Sequence, residues 1–382
     1  MNGVCLPRRS FLCLVGAAAA TGCLNDTQSG WRSFGNDRTN SAFAETSPPS
    51  GDTSLTADVG TVASSPAVVG KTAYVGTLGG EAVAVNAAGS EEAEALGELA
   101  DGNVTATTET VWTRSVGGEI YSSPAVVDGR LYVGSRNGDF VCLDADDGKV
   151  LWERSYGPIN SSPTVYEGTV FFGDDEGLVR ALDASNGETE WRRDTGGEVW
   201  CAPAVSEDSV CVGSADGNVY AFGSDGDELW RYEADGAVYS SPSLADGDVF
   251  FGDLSGAVHA VGAENGDRIW KRSVGGEVFA SPAVDGDTVY VASRGGGVHA
   301  LTASEGDTDW TYDAGAAVNS SPAVAGSRVL FGDDDGVFHS VNAVTGQRAW
   351  TREADGRVVS SPAVHEGAAA FGTEGGKLYV VL

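Results

Sequence analysis

The sequence between residues 122 and 152 reads SSPAVVDGRLYVGSRNGDFVCLDADDGKVLW. Its four short apolar runs are separated by turns that contain Asp128-Gly129, Asn137-Gly138 and Asp147-Gly148. Asp-Gly and Asn-Gly pairs between apolar runs are a strong short-range signal for β-hairpins, because these residues tolerate the positive φ of tight turns. The stretch therefore predicts four short antiparallel strands joined by tight hairpins.

The same phrase occurs eight times along the chain. Its prolines are Pro66, Pro124, Pro163, Pro203, Pro242, Pro282, Pro322 and Pro362. A second marker is the tryptophan in the last strand of a unit: Trp112, Trp152, Trp191, Trp230, Trp270, Trp310 and Trp350. No stretch shows helical periodicity with caps. Four strands repeated about every 40 residues predict an all-β, eight-bladed β-propeller of four-stranded antiparallel blades over residues 59–382.

The last unit ends after its third strand, at residues 378–382. We expect a strand around Trp31 to supply the missing fourth strand, so that an N-terminal strand closes the ring and Trp31 serves as the eighth blade tryptophan. Residues 23–58 are then a tether followed by this closing strand. The first unit is longer than the others, and its excess, about residues 87–110, is acidic and is expected to form an exposed loop.

Residues 1–22 have the features of an export signal. Arg8 and Arg9 precede a short apolar run, which fits a removable signal and resembles the twin-arginine type. The sequence Ala-Thr-Gly before Cys23 resembles a lipobox, which predicts that Cys23 is lipidated and anchors the protein to the outer face of the cell membrane. Asn25 and Asn103 lie in Asn-x-Thr sequons and are candidate glycosylation sites.

The chain is strongly acidic, with a net charge of −32 from 55 acidic and 23 basic residues. Such a surface repels nucleic acid and anionic lipid headgroups, which excludes nucleic acid as a partner. High salt screens the repulsion between the carboxylates. The composition is similar to that of proteins from extreme halophiles.

Three cysteines lie within the repeats. Cys142, Cys201 and Cys211 occupy positions where other units have alanine, serine and an aromatic residue, which predicts buried free thiols. A disulfide between Cys201 and Cys211 is the alternative, because hairpin register is not fixed by the sequence.

The phrases Val-x-Ser-Ser-Pro-Ala-Val, Val-Tyr-Val-Gly-Ser and Ala-Leu-Asp-Ala-x-x-Gly, with the tryptophan that follows, resemble the PQQ-like propeller repeat. The stretch from Trp31 to Asn40 is similar to the entry segment of that family. The resemblance implies eight blades with the tryptophan strand outermost. One branch of the family is the quinoprotein dehydrogenases, which hold pyrroloquinoline quinone and calcium. The other resembles the lipoprotein subunit of the bacterial outer-membrane assembly machine, which binds proteins.

Length, lipobox and the lack of adjacent cysteines favour the second branch, so that we expect no cofactor and a non-catalytic scaffold that binds an unidentified protein. A quinone-dependent dehydrogenase with calcium, or a sensor of a small ligand, are the alternatives. A halophilic archaeon has no outer membrane of that kind, so the partner does not carry over from the family.

Two patterns suggest metal sites but are interpreted otherwise. His259, His299 and His339 occupy one repeat position in consecutive blades. Packed sheets lie about 10 Å apart, too far for one shared metal ion, so packing between blades is expected. The acidic runs that begin at Asp174 and Asp333 lack the alternating ligands of a calcium loop and predict acidic turns.

The residue before each Ser-Ser-Pro phrase varies while the phrase hardly changes. In chain order these residues are Ala63, Tyr121, Asn160, Trp200, Tyr239, Phe279, Asn319 and Val359. Arg136 and Arg294, in the turns between second and third strands, are expected on the same face. Variable positions in a constant frame are where repeat proteins place specificity, and aromatic residues are frequent in binding hot spots. The six from Tyr121 to Asn319, with the two arginines, form the predicted binding face; the alternative is that these aromatics only fill the funnel.

Overall fold

The computed structural model describes residues 30–31, 35, 37, 39–87 and 104–382. Within these ranges the chain forms strands joined by turns and irregular segments. In chain order the strands up to blade four are β1 (Gly30–Trp31), β2 (Phe43–Ala44), β3 (Thr53–Asp58), β4 (Ala67–Val69), β5 (Thr72–Gly76), β6 (Glu81–Asn86), β7 (Val104–Thr107), β8 (Thr110–Ser115), β9 (Ala125–Val127), β10 (Arg130–Gly134), β11 (Asp139–Asp144), β12 (Val150–Ser155), β13 (Thr164–Tyr166), β14 (Thr169–Gly173), β15 (Leu178–Asp183), β16 (Thr189–Asp194), β17 (Ala204–Val205), β18 (Val210–Gly213), β19 (Asn218–Phe222) and β20 (Glu228–Glu233). The remaining strands are β21 (Ser243–Ala245), β22 (Asp248–Gly252), β23 (Ala257–Gly262), β24 (Arg268–Ser273), β25 (Ala283–Asp285), β26 (Thr288–Ala292), β27 (Gly297–Thr302), β28 (Thr308–Asp313), β29 (Ala323–Ala325), β30 (Arg328–Gly332), β31 (Val337–Asn342), β32 (Arg348–Glu353), β33 (Ala363–His365), β34 (Ala368–Gly372) and β35 (Lys377–Val381).

The strands form eight sheets that surround a central axis. Blade one is β4-β5-β6-β8, blades two to seven each use four consecutive strands from β9 to β32, and blade eight is β33-β34-β35-β3. The eight inner strands contact one another in turn around the ring. Within each blade the four strands are antiparallel, so the predicted eight-bladed all-β propeller is confirmed.

The inner seam between blades explains the glycine that ends most second strands. The apolar residue two positions before each Ser-Ser-Pro phrase, such as Val199, is fully buried against the preceding blade. A Cβ added to Gly173 would lie 2.2 Å from Cγ1 of Val199, and one on Gly372 would lie 2.2 Å from Cγ1 of Val62. Only glycine permits this approach, and the second contact joins blade eight to blade one.

The second serine of each phrase links neighbouring blades by a hydrogen bond. Its Oγ accepts from the backbone N–H of the equivalent residue in the preceding blade, as Ser281 does from Ser241 at 2.7 Å. Seven such bonds of 2.7–3.0 Å run around the ring. Blade four has Ala202 at this position, so Ser162 of blade three has no such acceptor. The serine at the second position of the phrase therefore recurs because it links neighbouring blades of the ring.

The tryptophans form the outer seam. The indole of Trp112 in blade one donates from Nε1 to the carbonyl of Ala145 in blade two at 2.9 Å, and its ring lies against Gly148, where a Cβ would come within 2.7 Å. The same contacts recur around the ring as far as blade six. These contacts join each blade, from blade one to blade six, to the blade that follows it.

The strand that closes the ring is β3 and not the segment around Trp31. β3 pairs antiparallel with the last strand, β35, and Leu55 lies opposite Val380, at the position that tryptophan occupies in the other blades. Gly51, just before β3, meets the ring of Trp350 in the way that turn glycines meet the other tryptophans. The prediction of an N-terminal closing strand is thus confirmed, but its assignment to Trp31 is wrong.

Blade eight has no tryptophan in its fourth strand, and blade one lacks the turn on which such a tryptophan would pack. In blade one the tight turn between the third and fourth strands is replaced by the insertion, which lies largely outside the described residues. The end of the insertion forms β7, which pairs in parallel with β3 and extends blade eight outward. The excess of the first unit is therefore not all loop: its last residues cover the outer edge of the closing strand.

The segment before β3 fills one end of the central channel. β1 pairs with β4 so that Gly30 lies opposite Val69, at the end of the channel where the first strands end. The chain then passes the inner strands of blades five and six, where Leu244 and Val284 donate backbone hydrogen bonds to it. The chain leaves the channel at the end where it entered and there forms β2, which pairs in parallel with β29 in blade seven. We call the described residues of this segment, 30–31, 35, 37 and 39–48, the plug.

The three cysteines of the repeats are buried and free, as predicted. Cys211 lies opposite Ala204, while Cys201 takes the place of a serine and its Sγ lies 3.1 Å from the N–H of Gly213. Burial raises the pKa of both thiols to about 12. The alternative of a disulfide between them is not realised in the structure.

Several predictions lie outside the described residues. They are the export signal with Arg8 and Arg9, the lipidated Cys23, and the sequon residues Asn25 and Asn103. Within residues 39–87 and 104–382, no helix has the length and hydropathy of a membrane span.

Candidate functional site

The residues before the Ser-Ser-Pro phrases lie at the open end of the channel, opposite the plug. They belong to the connections that lead into the inner strands, one per blade, and we call them, together with the facing turns between second and third strands, the rim. Trp200 and Tyr121 expose 39% and 38% of their surface, which is unusual for large aromatic residues. The remaining rim residues before the phrases are partly buried.

Three of the rim aromatics form one continuous stack. The ring centroids of Trp200 and Tyr239 are 4.6 Å apart, and those of Tyr239 and Phe279 are 5.7 Å apart with nearly parallel planes. The guanidinium of Arg294 lies 4.1 Å from the centroid of Phe279 and ends the stack. These four residues come from blades four, five and six, so we call the stack the aromatic arc.

Polar side chains hold both ends of the arc. At one end, Asp175 accepts hydrogen bonds from Nε1 of Trp200 at 2.9 Å and from Nδ2 of Asn160 at 2.8 Å. At the other end, Oδ1 of Asn319 accepts from Arg294 at 2.8 Å. The two asparagines that the sequence placed on the binding face are therefore supports of the arc.

The structure does not bring all predicted rim residues together. Tyr121 lies in blade two, outside the arc, and the guanidinium of Arg136 is 5.7 Å from its ring centroid. Ala63 and Val359 complete the ring between Asn319 and Tyr121 with small side chains. The rim thus has an aromatic half and a half without a continuous stack.

Carboxylates at the rim were missed by the sequence reasoning. Asp334 bonds to Asn319 and forms an ion pair of 2.7 Å with Arg357, and Arg294 and Arg136 pair with Glu277 and Glu119. The available signal was the alignment of turn residues across the repeats, which would have shown charges at matching positions. Burial, together with the carboxylates of Glu198 and Asp175, raises the pKa of Tyr239, which keeps its hydroxyl protonated.

The histidines lie away from the rim, at seams between blades. Nε2 of His259 is 2.9 Å from the buried carboxylate of Asp253, and its Nδ1 is 3.1 Å from the hydroxyl of Tyr232 in the preceding blade. His339 repeats this arrangement with Asp333 and Tyr312. The expected packing between blades is confirmed for these two.

The third histidine differs because its partners differ. His299 lies 3.1 Å from Thr311 of its own blade, and Ser293 stands where the other two blades have aspartate. Burial lowers the pKa of His299, so it is neutral at pH 7.

The acidic runs are turns, as predicted, but their first residues are buried. In blade three Asp174 accepts two hydrogen bonds from Arg180 at 3.0 and 2.9 Å and further bonds from backbone amides of its own turn. For Asp253, burial alone would raise the pKa, but bonds from His259, Ser255 and the amide of Ala257 outweigh burial and lower it. An aspartate followed six residues later by arginine or histidine is the sequence signal that marks these pairs.

No group of three or more His, Cys, Asp or Glu side chains is arranged to hold a metal ion in the described part of the chain. At the floor of the open end, Asn40 of the plug donates to the carbonyls of Ala202 and Pro242. The cavity between the plug and the serines of the phrases has a volume of about 10 Å³, which is about the space of one water molecule.

Comparison with known proteins agrees with this architecture. The structure is similar to BamB from Moraxella catarrhalis, with a TM-score of 0.71, 18% identity, and coverage of 86% of this chain and 97% of that one. It is also similar to the computationally designed Ika8 protein (TM-score 0.71, 17% identity, 86% and 98% covered). A third match is quinohemoprotein alcohol dehydrogenase from Comamonas testosteroni (TM-score 0.73, 15% identity, 92% and 80% covered). At these identities the matches show the fold alone.

No curated protein sequence matches the chain significantly. The family model described as outer membrane protein assembly factor BamB matches residues 98–200, 176–254 and 254–382, which together make up well over half of the chain. The chain therefore belongs to the BamB family of propellers.

Proposed function

We propose that the chain is an exported, lipid-anchored propeller that binds a protein partner at its rim and does not itself catalyse a reaction. The observation that carries the proposal is the aromatic arc, in which Trp200, Tyr239 and Phe279 stack at an open surface. Aromatic residues and arginine are enriched in binding hot spots, and Tyr and Trp bury large areas with little loss of rotamer freedom. Membership of the BamB family supports a protein-binding role in general.

The position of the plug supports a particular orientation at the membrane. Gly30 enters the channel at the end opposite the rim. Cys23 precedes it by only seven residues, which span at most about 25 Å. A lipid on Cys23 would hold the plug end near the membrane and leave the rim facing away from it, toward a partner.

The anchor is tested separately from the rim. Cys23→Ser should release the protein into the medium or leave an uncleaved precursor. Membrane retention with normal processing of this variant would contradict lipid anchoring. A matched change, Cys142→Ser, alters a buried thiol within the propeller and should leave localisation unchanged.

The rim does not favour the dehydrogenase alternative. Pyrroloquinoline quinone is a polycarboxylate anion, and at this rim it would meet Asp175, Glu198 and Asp334. The arginines of the rim already pair with carboxylates of the protein. The residues present therefore do not fit this cofactor, and we derive no reaction step through it.

A small-ligand site in the central channel is not favoured either. Ligand sites are usually enclosed clefts of about 300–1,000 Å³, whereas the axial cavity beneath the rim is about 10 Å³. The plug fills the channel from the other end. The rim is thus an open surface, which suits a macromolecule better than an enclosed small molecule.

The test of the rim is partner capture from membranes with the double variant Trp200→Ala and Tyr239→Ala. The wild type should retain specific proteins that the variant loses, with an unchanged circular dichroism spectrum. Val344→Ser is the matched control, because Val344 is 81% exposed in a turn at the plug end. Equal capture by all three proteins would contradict the proposal.

A further inference from the structure

Each blade presents a matched pair of residues at the rim. The residue three positions before the Ser-Ser-Pro phrase accepts a backbone hydrogen bond from the turn between second and third strands. In blade two, Glu119 accepts from Arg136 at 2.9 Å, and in blade six, Glu277 accepts from Arg294 at 2.9 Å. Both pairs are also ion pairs, at 3.6 and 3.0 Å. The same place in two blades therefore holds a guanidinium beside a glutamate.

Blade four has the glutamate but not the arginine. Glu198 accepts the same backbone hydrogen bond, at 2.9 Å, from Ala215. Ala215 is not deeply buried, and its turn has the same backbone pairing as the turns that carry Arg136 and Arg294. Blade four thus keeps the frame of the pair and lacks its positive charge.

The aromatic partner of the guanidinium is also present in blade four. Arg136 lies over Tyr121 and Arg294 lies over Phe279, with centroid distances of 5.7 and 4.1 Å. The equivalent residue is Trp200, the most exposed aromatic side chain of the arc. Indole gives the strongest cation–π attraction of the three aromatic rings.

A second carboxylate adds to the negative charge at this point. Asp175 bonds to Nε1 of Trp200, and on the opposite side of the ring its equivalent, Asp334, is paired with Arg357 at 2.7 Å. Next to Asp175, the position that Arg357 occupies beside Asp334 is held by Glu198. Among the described residues, neither Asp175 nor Glu198 takes part in an ion pair, whereas Glu119, Glu277, Asp334 and Glu374 each pair with arginine.

We propose that Trp200, Asp175 and Glu198 form a subsite that binds an arginine side chain of the partner protein. This deepens the proposed function and rests on it. The guanidinium lies over the indole and pairs with the two carboxylates. In blades two and six the protein's own arginines likewise lie over an aromatic ring, and each pairs with one glutamate. Arginine fits better than a metal ion because its planar fork matches carboxylates and stacks on aromatic rings.

The test uses the purified full-length protein with two small probes, N-acetylarginine amide and its neutral analogue N-acetylcitrulline amide. Binding is followed by the NMR signal of the Trp200 indole N–H, assigned with Trp200→Phe. The dissociation constant obtained from the shift of this signal should be lower for the arginine probe than for the citrulline probe by about tenfold or more. Equal responses to both probes would overturn the proposal.

Variants make the test specific. Ala215→Arg should supply the guanidinium from within, as in blades two and six, and weaken probe binding by about tenfold or more, while Ala215→Gln should leave it unchanged. Undiminished binding to Ala215→Arg, with an otherwise unchanged spectrum, would refute the subsite. Because these measurements need no partner, their failure would leave the capture test of the rim unaffected, and the two proposals can fail independently.

Discussion

Replacing Leu55 by alanine removes the apolar anchor of the strand that closes the ring. Leu55 is 1% exposed and lies opposite Val380 in the last strand of the chain. Truncation of a buried leucine to alanine costs about 2–5 kcal/mol. With an unfolding entropy of about 2.1 cal/mol/K per residue, the roughly 330 described residues contribute about 0.7 kcal/mol/K. The melting temperature should therefore fall by about 3–7 °C.

The measurement is thermal unfolding followed by circular dichroism at constant, molar salt. Leu229→Ala is the matched control, because Leu229 also lies in a fourth strand but is 52% exposed, and its truncation should change the melting temperature little. If the two variants melt together, or if Leu55→Ala melts like the wild type, β3 does not close the ring in solution.

Three further predictions follow from the seams between blades. Ala202→Ser should give Ser162 the hydroxyl acceptor that the other blades have, and should raise the free energy of unfolding by about 0.5–1.5 kcal/mol in denaturant titrations; destabilisation would show that the missing bond is compensated otherwise. Hydrogen bonds hold the pKa of Asp253 below its unfolded value, so they stabilise the protein above about pH 4 and this stability is lost as pH falls through the lowered pKa; denaturation between pH 3 and 7 should show a weaker acid dependence in Asp253→Asn. Cys201 and Cys211 are buried with raised pKa values, so thiol reagents should modify them only after unfolding, and rapid labelling of the native protein would contradict their placement.

The architecture could be predicted from the sequence because the same pattern of strands and turns recurs in eight units. Proline, turn glycines and tryptophan recur at fixed spacing, and each recurrence marks the same physical contact between blades. Serine in the second position of the phrase, exemplified by Ser281, is kept because it accepts a bond from its neighbour. Signals of this kind add up over eight copies.

Ring closure was harder to predict because it breaks the repeat. Tryptophan marks the fourth strand of the other blades and points to Trp31, whereas the equivalent position in blade eight holds Leu55. Tryptophan is dispensable there because the insertion in blade one removes the turn on which it would pack. The tryptophan pattern depends on the turn of the following blade, so it does not mark the fourth strand of blade eight, where that turn is missing.

The rim residues before each phrase could be placed by alignment alone, but their relations could not. That Trp200, Tyr239 and Phe279 stack, while Tyr121 stands apart, depends on side-chain directions in three dimensions. The carboxylates that support them lie in turns far away in sequence, as Asp175 does from Trp200. In the sequence these carboxylates resemble those of the many other acidic turns of the chain.

Site-specific photo-crosslinking in native membranes tests the central claim most directly. The change Tyr239→p-benzoylphenylalanine places a crosslinker within the aromatic arc, and the same change at Val344 places one in a turn at the plug end. If the rim binds a protein partner, irradiation should give a discrete covalent adduct from position 239 and none from position 344. An adduct from position 344 alone, or no adduct from position 239, would contradict the account.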